Sequence, residues 1–409
     1  MPLKTFQYRL YPTKKQQRLL SSQLEECRWL WNALLAERKQ AWEERQEILD
    51  YYEQKAALPG WKANERPSLK EVHSQVLQDV VLRLKKAFDA FFRRLKAGEE
   101  PGYPRFRGKG RYNSLTYPQW DHGVSLSASS KRLLLSKIGD LKLVYHRPIE
   151  GIPKTATIRQ TSTGKWYVTI TCEWEPICLP PTGQEVGVDV GLSTFATCSD
   201  GRIIPNPRFF RQEERALAKA HRKHQKAFGA HKAIRVTLTK EVQKAHPDLG
   251  SDSIWQQVSK DASEQLAWRV RQRCRKVVAH TYERIRWRRV NFVHQESRRL
   301  VDEYDLLALE DLPVRAMMAN HTLAKSIADA AWRQFLTLIA CKAAWAGRRF
   351  SAVNPAYTSQ DCSECGARKS DLTLDERVYH CPSCGLTMDR DRNAALNVLA
   401  RGRACLASA

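Results

Sequence analysis

Cys362, Cys365, Cys381 and Cys384 stand in a C-x2-C-x15-C-x2-C array that runs, after Gly385 to Met388, directly into Asp389-Arg-Asp391-Arg-Asn393-Ala-Ala. Four thiolates at this spacing make a closed tetrahedral site with no position open to substrate, so the metal they imply is one structural Zn2+. An iron–sulfur cluster is the alternative occupant of four cysteines. Gly366 and Gly385 follow the second cysteine of each pair and, with Pro382, suit the tight turns of a knuckle. Metal binding and folding are coupled in such small units, so loss of zinc is expected to loosen Asp391 as well.

Three acids share a second kind of setting. Asp189 interrupts the apolar run Val186-Gly-Val-Asp189-Val-Gly191, Glu310 ends the run Leu306-Leu-Ala-Leu-Glu310, and Asp391 opens a helical stretch. A carboxylate on a buried strand is costly without a partner, so a bound cation or a catalytic duty accounts for Asp189 better than chance. Each acid alone reads equally as a cap or ion pair in a basic chain; the three together, beside the knuckle, read as a site. Converging carboxylates supply the hard oxygen ligands that Mg2+ takes. Two such ions roughly 4 Å apart activate water on one side of a phosphodiester and stabilise the leaving oxygen on the other. Hydrolysis of a nucleic-acid strand is the chemistry that follows.

Charge points the same way. The chain has 409 residues, 68 of them Lys or Arg against 44 Asp or Glu, for a formal charge of +24. Such a surface favours a polyanion over an acidic small molecule, and the Trp and Tyr side chains interleaved with Arg offer stacking surface for bases. The apolar run from Phe335 to Gly347 is broken by Lys342, and Met1 to Pro12 lacks an apolar core, so neither a membrane span nor a secretion signal is expected. Seven further cysteines (27, 172, 178, 198, 274, 341 and 405) have no framework spacing; they are expected to be small buried hydrophobes in a reducing cytoplasm.

The elements that must position these groups are legible in outline, and the length suggests two or three domains. Phe6 to Tyr11 reads as a strand stopped by Pro12, with Thr13 capping a helix. Helical pattern continues to about Lys96, where Leu77, Val81, Leu84, Phe88, Phe91 and Leu95 form one apolar face. Gln78 beside that stripe carries an amide able to read a base edge. From Pro101 the texture turns to Gly, Pro and alternating runs, predicting a β-rich domain. In it Tyr103, Arg105, Arg107, Lys109 and Arg111 alternate cation with ring, suiting backbone contact and stacking on nucleic acid. Gly102 to Lys109 is no phosphate loop, because five residues separate its glycines and Gly110 stands where Ser or Thr is needed.

Beyond a linker at Leu179-Pro-Pro-Thr-Gly183, strands are predicted at Val186, Thr194 and Ile203. Basic helices follow from Arg208 to Leu300, with Leu266, Val270, Cys274, Val277, Thr281 and Ile285 as a buried stripe. Residues 229–259 have weak periodicity and are expected to be a loop or hairpin insertion. A strand ending at Glu310, one helix from Ile327 to Trp345, and a strand from Phe350 complete a mixed α/β domain.

Gly187-Val-Asp189-Val-Gly191, Leu309-Glu310-Asp311-Leu, Val353-Asn-Pro-Ala-Tyr357-Thr-Ser-Gln360-Asp-Cys362, Cys381-Pro-Ser-Cys384-Gly and Asp389-Arg-Asp391-Arg-Asn393-Ala-Ala resemble the TnpB family. Tyr8-Arg-Leu-Tyr11-Pro12, Trp31-Asn32 and Tyr103-Pro-Arg105-Phe-Arg107 extend the resemblance across nearly the whole chain. Members are transposon-encoded RNA-guided DNA nucleases, related to compact type V CRISPR effectors. The resemblance implies an α/β multidomain protein: a β-rich wedge domain at 1–13 and 100–180, split by a helical recognition insert at 14–99. A RuvC-like nuclease domain of RNase H type follows at 181–357 and 387–409, carrying the zinc knuckle at 358–386. Asp189, Glu310 and Asp391 would be its Mg2+ ligands, Asp391 rather than Asp389 matching by its distance from Asn393. Gln78 would contact the short DNA motif beside the target. The implied partners are a guide RNA and double-stranded target DNA, in a monomer and in the prokaryotic cytoplasm at the nucleoid. The alternatives are a nuclease-inactive guided binder or repressor, which retention of all three acids argues against, and a transposase or resolvase acting without RNA.

Overall fold

The computed structural model describes residues 2–127, 131–373 and 375–407, and the chain divides into two units, Met1–Glu175 and Pro176–Ala409. In the first, β1 (Leu3–Tyr11) buries Phe6, Tyr8 and Leu10 on one side, the period of two of a strand with one covered face. Pro12 ends it and Thr13 starts α1 (Lys14–Arg45) with a capping box: the Gln16 amide donates to Thr13 Oγ1 at 3.3 Å, and the Thr13 amide to Gln16 Oε1 at 3.0 Å. After the short α2 (Tyr51–Ala56) and α3 (Leu58–Gly60), α4 (Ser74–Lys96) turns Val76, Leu77, Val80, Val81, Leu84 and Phe88 inward. The stripe ends sooner than its sequence suggests, for Leu95 is exposed.

Six further strands, β2 (Ser114–Tyr117), β3 (Val124–Leu126), β4 (Arg132–Leu135), β5 (Gly139–Val144), β6 (Ile152–Gln160) and β7 (Trp166–Glu173), join β1 in a wholly antiparallel sheet of order β2-β6-β7-β1-β5-β4-β3. Its inner residues share one apolar core with α1 and α4. The strands expected from Pro101 onward are present, β1 joins them from the N-terminus, and they share one unit with the helices.

The second unit is a mixed sheet covered on both faces. The strands β8 (Glu185–Val190), β9 (Thr194–Cys198) and β10 (Ile203–Pro205) form an antiparallel meander, and β11 (Leu306–Glu310) and β12 (Arg349–Val353) add in parallel, giving the order β10-β9-β8-β11-β12. Between β10 and β11 run α5 (Phe209–Ala245), α6 (Ser251–Lys260) and α7 (Ala262–Glu303). After β11 come α8 (Val314–Met317), α9 (Ala324–Ala330) and α10 (Trp332–Ala346); the small hairpin β13 (Val378–His380) and β14 (Thr387–Asp389) precedes α11 (Arg390–Ala407).

Three expectations change here. Residues 229–259 are mostly helical, as the end of α5 and all of α6, broken near Pro247 and Gly250. The stripe assigned to α7 is buried only at Thr281 and Ile285, whereas Leu266, Val270 and Val277 are exposed. The reason is that α5 meets α7 through polar pairs: His231 with Glu264 at 3.0 Å, Arg271 with His231 at 3.2 Å and Arg284 with Glu213 at 3.2 Å. Finally, the helix expected from Ile327 to Trp345 is two, because Ala331 takes a left-handed backbone (φ 58°). That break leaves Asp329 accepting from Arg289 and from the Phe210 amide, both at 2.8 Å. A further expectation changes for the seven other cysteines: Cys27, Cys172 and Cys198 are buried, but Cys178, Cys341 and Cys405 are exposed and Cys274 lies between, so these four are not the buried hydrophobes expected.

Strand alternation decides which face the acids occupy. Val186, Val188, Leu307 and Leu309 point into the core shared with α7 and α10, where the Phe195 ring meets Phe292 and Phe335 edge-on at 4.8 and 4.9 Å. Leu306 and Ala308 point the other way, onto Val398 and Leu399 of α11. Gly187 shares that second face, and a Cβ there would lie 2.1 Å from the Ala395 carbonyl oxygen and 2.6 Å from the Leu399 amide nitrogen. Glycine is therefore what lets α11 lie flat on the strand. Gly187→Ala is expected to lower the unfolding free energy by about 1–3 kcal/mol or more, the range for overpacked cores, measured by thermal or denaturant unfolding of the full chain; an unchanged midpoint would contradict the close approach.

Candidate active site

Asp189 and Glu310 end neighbouring parallel strands in the same register, since Val188 pairs with Leu309 one residue earlier. Both side chains lie on the α11 face of the sheet, and Asp391 occupies the first turn of α11. The three acids, 121 and 81 residues apart along the chain, thus meet at one end of the sheet. Neighbouring Asp389 has a different occupation: its Oδ1 accepts from the Arg392 amide at 3.0 Å, so it caps α11.

Burial raises the Asp189 carboxyl well above the ordinary carboxylate range, and the charges of Glu310 and Asp391 push the same way, partly offset by Arg390. Glu310 is also raised by burial, against the opposing effects of the Thr358 hydroxyl and the Arg401 charge. Thr358 Oγ1 lies 2.6 Å from Glu310 Oε1 and 3.0 Å from the Pro355 carbonyl oxygen. One hydroxyl proton cannot serve both; an ionised Glu310, the stronger acceptor, takes it, whereas a protonated Glu310 donates to Thr358 and frees that proton for Pro355. Arg390 Nη2 reaches Asp391 Oδ1 at 3.4 Å.

The carboxylates are hard oxygen donors gathered where only cations offset their mutual repulsion, so the set fits Mg2+. Among the described residues, the one cluster of Cys, His, Asp or Glu tight enough to close on a single ion, with ligand atoms within 4.8 Å of one another, is the four cysteines. The three acids do not form such a single-ion cluster.

In the knuckle the Cys362 and Cys384 sulfurs are 3.6 Å apart, as are those of Cys365 and Cys381. Four thiolates tetrahedrally placed around zinc at its usual bond length are separated by about 3.8 Å, so the residues fit the metal. Backbone amides of Cys384 and Ser383 aimed at the Cys381 sulfur bring that thiol down to about 6, while hydrogen bonds among the neighbouring thiols raise Cys365 and Cys384, so without a metal the packed sulfurs share their protons unevenly. Gly366 and Gly385 hold left-handed backbone (φ 75° and 78°), which glycine adopts without strain. Asn393 connects knuckle and helix: its Nδ2 donates to the Asp361 carbonyl at 2.8 Å and its Oδ1 accepts from the Ser363 amide at 2.9 Å.

The residues singled out for nucleic-acid contact lie in the first unit, and they divide. Arg105, Lys109 and Arg111 are exposed. Arg107 is turned inward, its guanidinium 4.2 Å from the Trp31 ring centroid and 5.4 Å from that of Tyr112. Its amide donates to Asn32 Oδ1 at 2.7 Å, so this residue anchors the segment to α1. Tyr103 packs edge-on against Phe88 and Phe91 while keeping nearly half its surface open. Gln78 is half-buried on α4. Sequence reasoning passed over Thr358 and Arg401, whose signal was only their place in a polar run and a basic helix.

Comparison with known proteins completes the description. Three family profiles match: "Helix-turn-helix domain" at 1–47, "Probable transposase" at 169–321 and "Cas12f1-like, TNB domain" at 332–398. The chain is 32% identical over 408 residues to a putative RNA-guided DNA endonuclease of Streptomyces pristinaespiralis, covering 99% of this chain and 90% of that protein. It is 29% identical to the putative RNA-guided DNA endonuclease InsQ of Escherichia coli K12, covering 99% and 94%. Among solved structures, the mini-RNA-guided endonuclease CRISPR-Cas phi3 aligns at TM-score 0.52 and 9% identity, over 98% of this chain and 92% of that one. A basic α/β chain with clustered acids at a sheet end and a four-thiol knuckle is thereby placed: it belongs to the TnpB family of RNA-guided DNA nucleases, relatives of the compact type V CRISPR effectors. No helix of the described residues is long and apolar enough to cross a membrane.

Two outcomes follow for the isolated protein. A carboxyl whose folded pKa lies above its unfolded value contributes stability at low pH that is lost as pH rises through the folded pKa. Without divalent metal, Asp189→Asn is therefore expected to melt a few degrees above wild type near neutral pH, a gain of about 1 kcal/mol, with the difference shrinking in acid. Cys381→Ser is expected to lower zinc content and protein yield; an unchanged zinc stoichiometry by mass spectrometry or colorimetric assay would refute the knuckle.

Proposed function

We propose that this chain is a Mg2+-dependent, RNA-guided DNA endonuclease whose second unit is a RuvC-like nuclease of RNase H type. The observation that carries the reading is the meeting of Asp189, Glu310 and the first turn of α11 on one face of a sheet in which two parallel strands extend an antiparallel meander. Support for the activity comes from relatives that align along almost the whole chain and bear the name RNA-guided DNA endonuclease.

Asp189, Glu310 and Asp391 would hold two Mg2+ ions, which when bound supply an activated water and neutralise charge on the leaving oxygen of a phosphodiester. The protein's own contribution is rigidity and charge. Two acids sit on paired strands and the third on a helix pressed against them by Gly187, so their oxygens have little freedom to relax away from one another. Arg390 beside Asp391 places a positive charge at the edge of the site. The basic helices α5 and α7 neutralise phosphates, a sequence-independent attraction that salt weakens. Zn2+ in the knuckle would act structurally, fixing the segment from which α11 starts.

In the same reading, residues 1–13 and 100–180 are the wedge and 14–99 the recognition insert. The antiparallel sheet built from β1 and β2 to β7, with helices between, supports that division. Arg105, Lys109 and Arg111 would meet the nucleic-acid backbone, Tyr103 would stack, Arg107 would brace their loop, and Gln78 would touch the short DNA motif next to the target. Sequence choice would lie in pairing between the guide RNA and DNA.

The test uses purified protein, with and without its co-purified RNA, on labelled double-stranded DNA bearing the sequence of that guide. Cutting is expected only with both RNA and Mg2+; cutting by protein alone would favour a transposase or resolvase, and binding without cutting a repressor. Asp189→Ala is expected to lose cutting by at least about a thousandfold while retaining RNA-dependent DNA binding, since the lost group serves the chemical step.

A further inference from the structure

We infer that Thr358 is a positioning residue for the metal-binding carboxylates, and that the loop from Asn354 to Cys362 uses it to tie the zinc knuckle to Glu310. This rests on the reading of Glu310 as a metal ligand. Thr358 is 2% exposed and Glu310 6%, so the 2.6 Å contact between the hydroxyl and the carboxylate is sealed from water. A buried hydrogen bond to a charged acceptor is short and directional. It holds one carboxylate oxygen and leaves the other for an ion.

The hydroxyl cannot drift, because the loop bearing it is gripped from one face of α11. Asn393, Asn397 and Arg401 recur every four residues, and all three reach this loop. Asn397 Nδ2 donates to the Thr358 carbonyl at 2.9 Å and to that of Asp361 at 2.7 Å. Arg401 donates to the Asn354 and Ala356 carbonyls at 3.0 and 2.6 Å, and to Asp361 Oδ2 at 2.9 Å. Tyr357, immediately before Thr358, has a left-handed backbone (φ 64°), a conformation a non-glycine residue keeps only when its surroundings impose it. The Arg368 guanidinium covers its ring at 3.7 Å and also binds Asp361.

The chain then passes from Asp361 straight into Cys362, the first thiol of the knuckle. Helix α11 thus carries Asp391 at its first turn and, further along, the side chains that set Thr358 and through it Glu310. Two of the three acids are referenced to one helix, and the knuckle clamps the loop between them. A role confined to stability would lower the melting point of a variant lacking the hydroxyl and leave its metal affinity unchanged.

The experiment measures Mn2+ binding to the RNA-loaded full chain by electron paramagnetic resonance, together with the Mg2+ concentration needed for half-maximal cutting. Loss of a group that orients a metal ligand typically weakens affinity about 10- to 100-fold. Thr358→Val, which keeps shape and removes the hydroxyl, is expected to weaken Mn2+ binding by about that factor and to shift the Mg2+ requirement upward, with normal zinc content. Thr358→Ser, which keeps the hydroxyl, is expected to bind Mn2+ as wild type does. Should the valine variant fold poorly, Thr358→Ala carries the same expectation without steric risk. Wild-type Mn2+ affinity in Thr358→Val or Thr358→Ala would overturn the inference while leaving the acid site standing, because Asp189→Ala would still lose binding. Absence of Mn2+ binding by the wild-type complex would remove both.

Discussion

Mutual repulsion among gathered carboxylates is the constraint around which the second unit is built. Asp189 and Glu310 end adjacent strands, where burial disfavours their charge, and Asp391 faces them from a helix. The fold holds them together against that cost with two apolar layers. One is the cluster of Val186, Val188, Leu307 and Leu309 with the Phe195, Phe292 and Phe335 rings; the other is the smaller cluster of Leu306, Ala308, Val398 and Leu399. The arrangement is an electrostatic cost in the free protein, the kind of cost that divalent cations would offset if bound there in the way proposed.

Helix α11 is the part that makes the cost bearable. It lies close to β8 because Gly187 offers no Cβ and close to β11 because Gly402 does the same opposite Ala308. Its N-terminus is fixed twice, by the Asp389 cap and by Asn393 hydrogen-bonded into the knuckle. The knuckle therefore does more than decorate a loop. It adjoins the start of the helix that supplies the third acid, so a metal held by its four cysteines would bear on where the candidate acids stand.

The basic hairpin of α5 and α7 follows a different logic. Its helices meet through His231, Glu264, Arg271, Glu213 and Arg284, polar pairs that fix geometry while contributing modestly to stability where solvent screens them. Apolar Leu266, Val270 and Val277 are left on the outside. The helical period was readable there, but a period says only that one face is apolar; whether a neighbour covers it is decided by the rest of the chain.

Much of the candidate site was legible from residue types alone. The cysteine spacing specifies a knuckle because a tetrahedral thiolate site is a local structure, closed within a few dozen residues. The acids announced themselves because a charge inside an apolar strand is rare enough to need a reason. Strand order, by contrast, is a long-range property: nothing near Asp189 states that its strand pairs with the one ending in Glu310, and only the parallel register of Val188 with Leu309 makes them neighbours. The same holds for Asp389 and Asp391, two candidates two residues apart, of which the helix cap occupies the first. It holds too for Arg107, which looks like its neighbours in sequence yet is turned between Trp31 and Tyr112. Composition and spacing determined which chemistry this chain can carry, since side-chain charge and ligand type belong to the residues themselves. Tertiary structure decided which of them meet, because burial and contact are set by distant segments packing together.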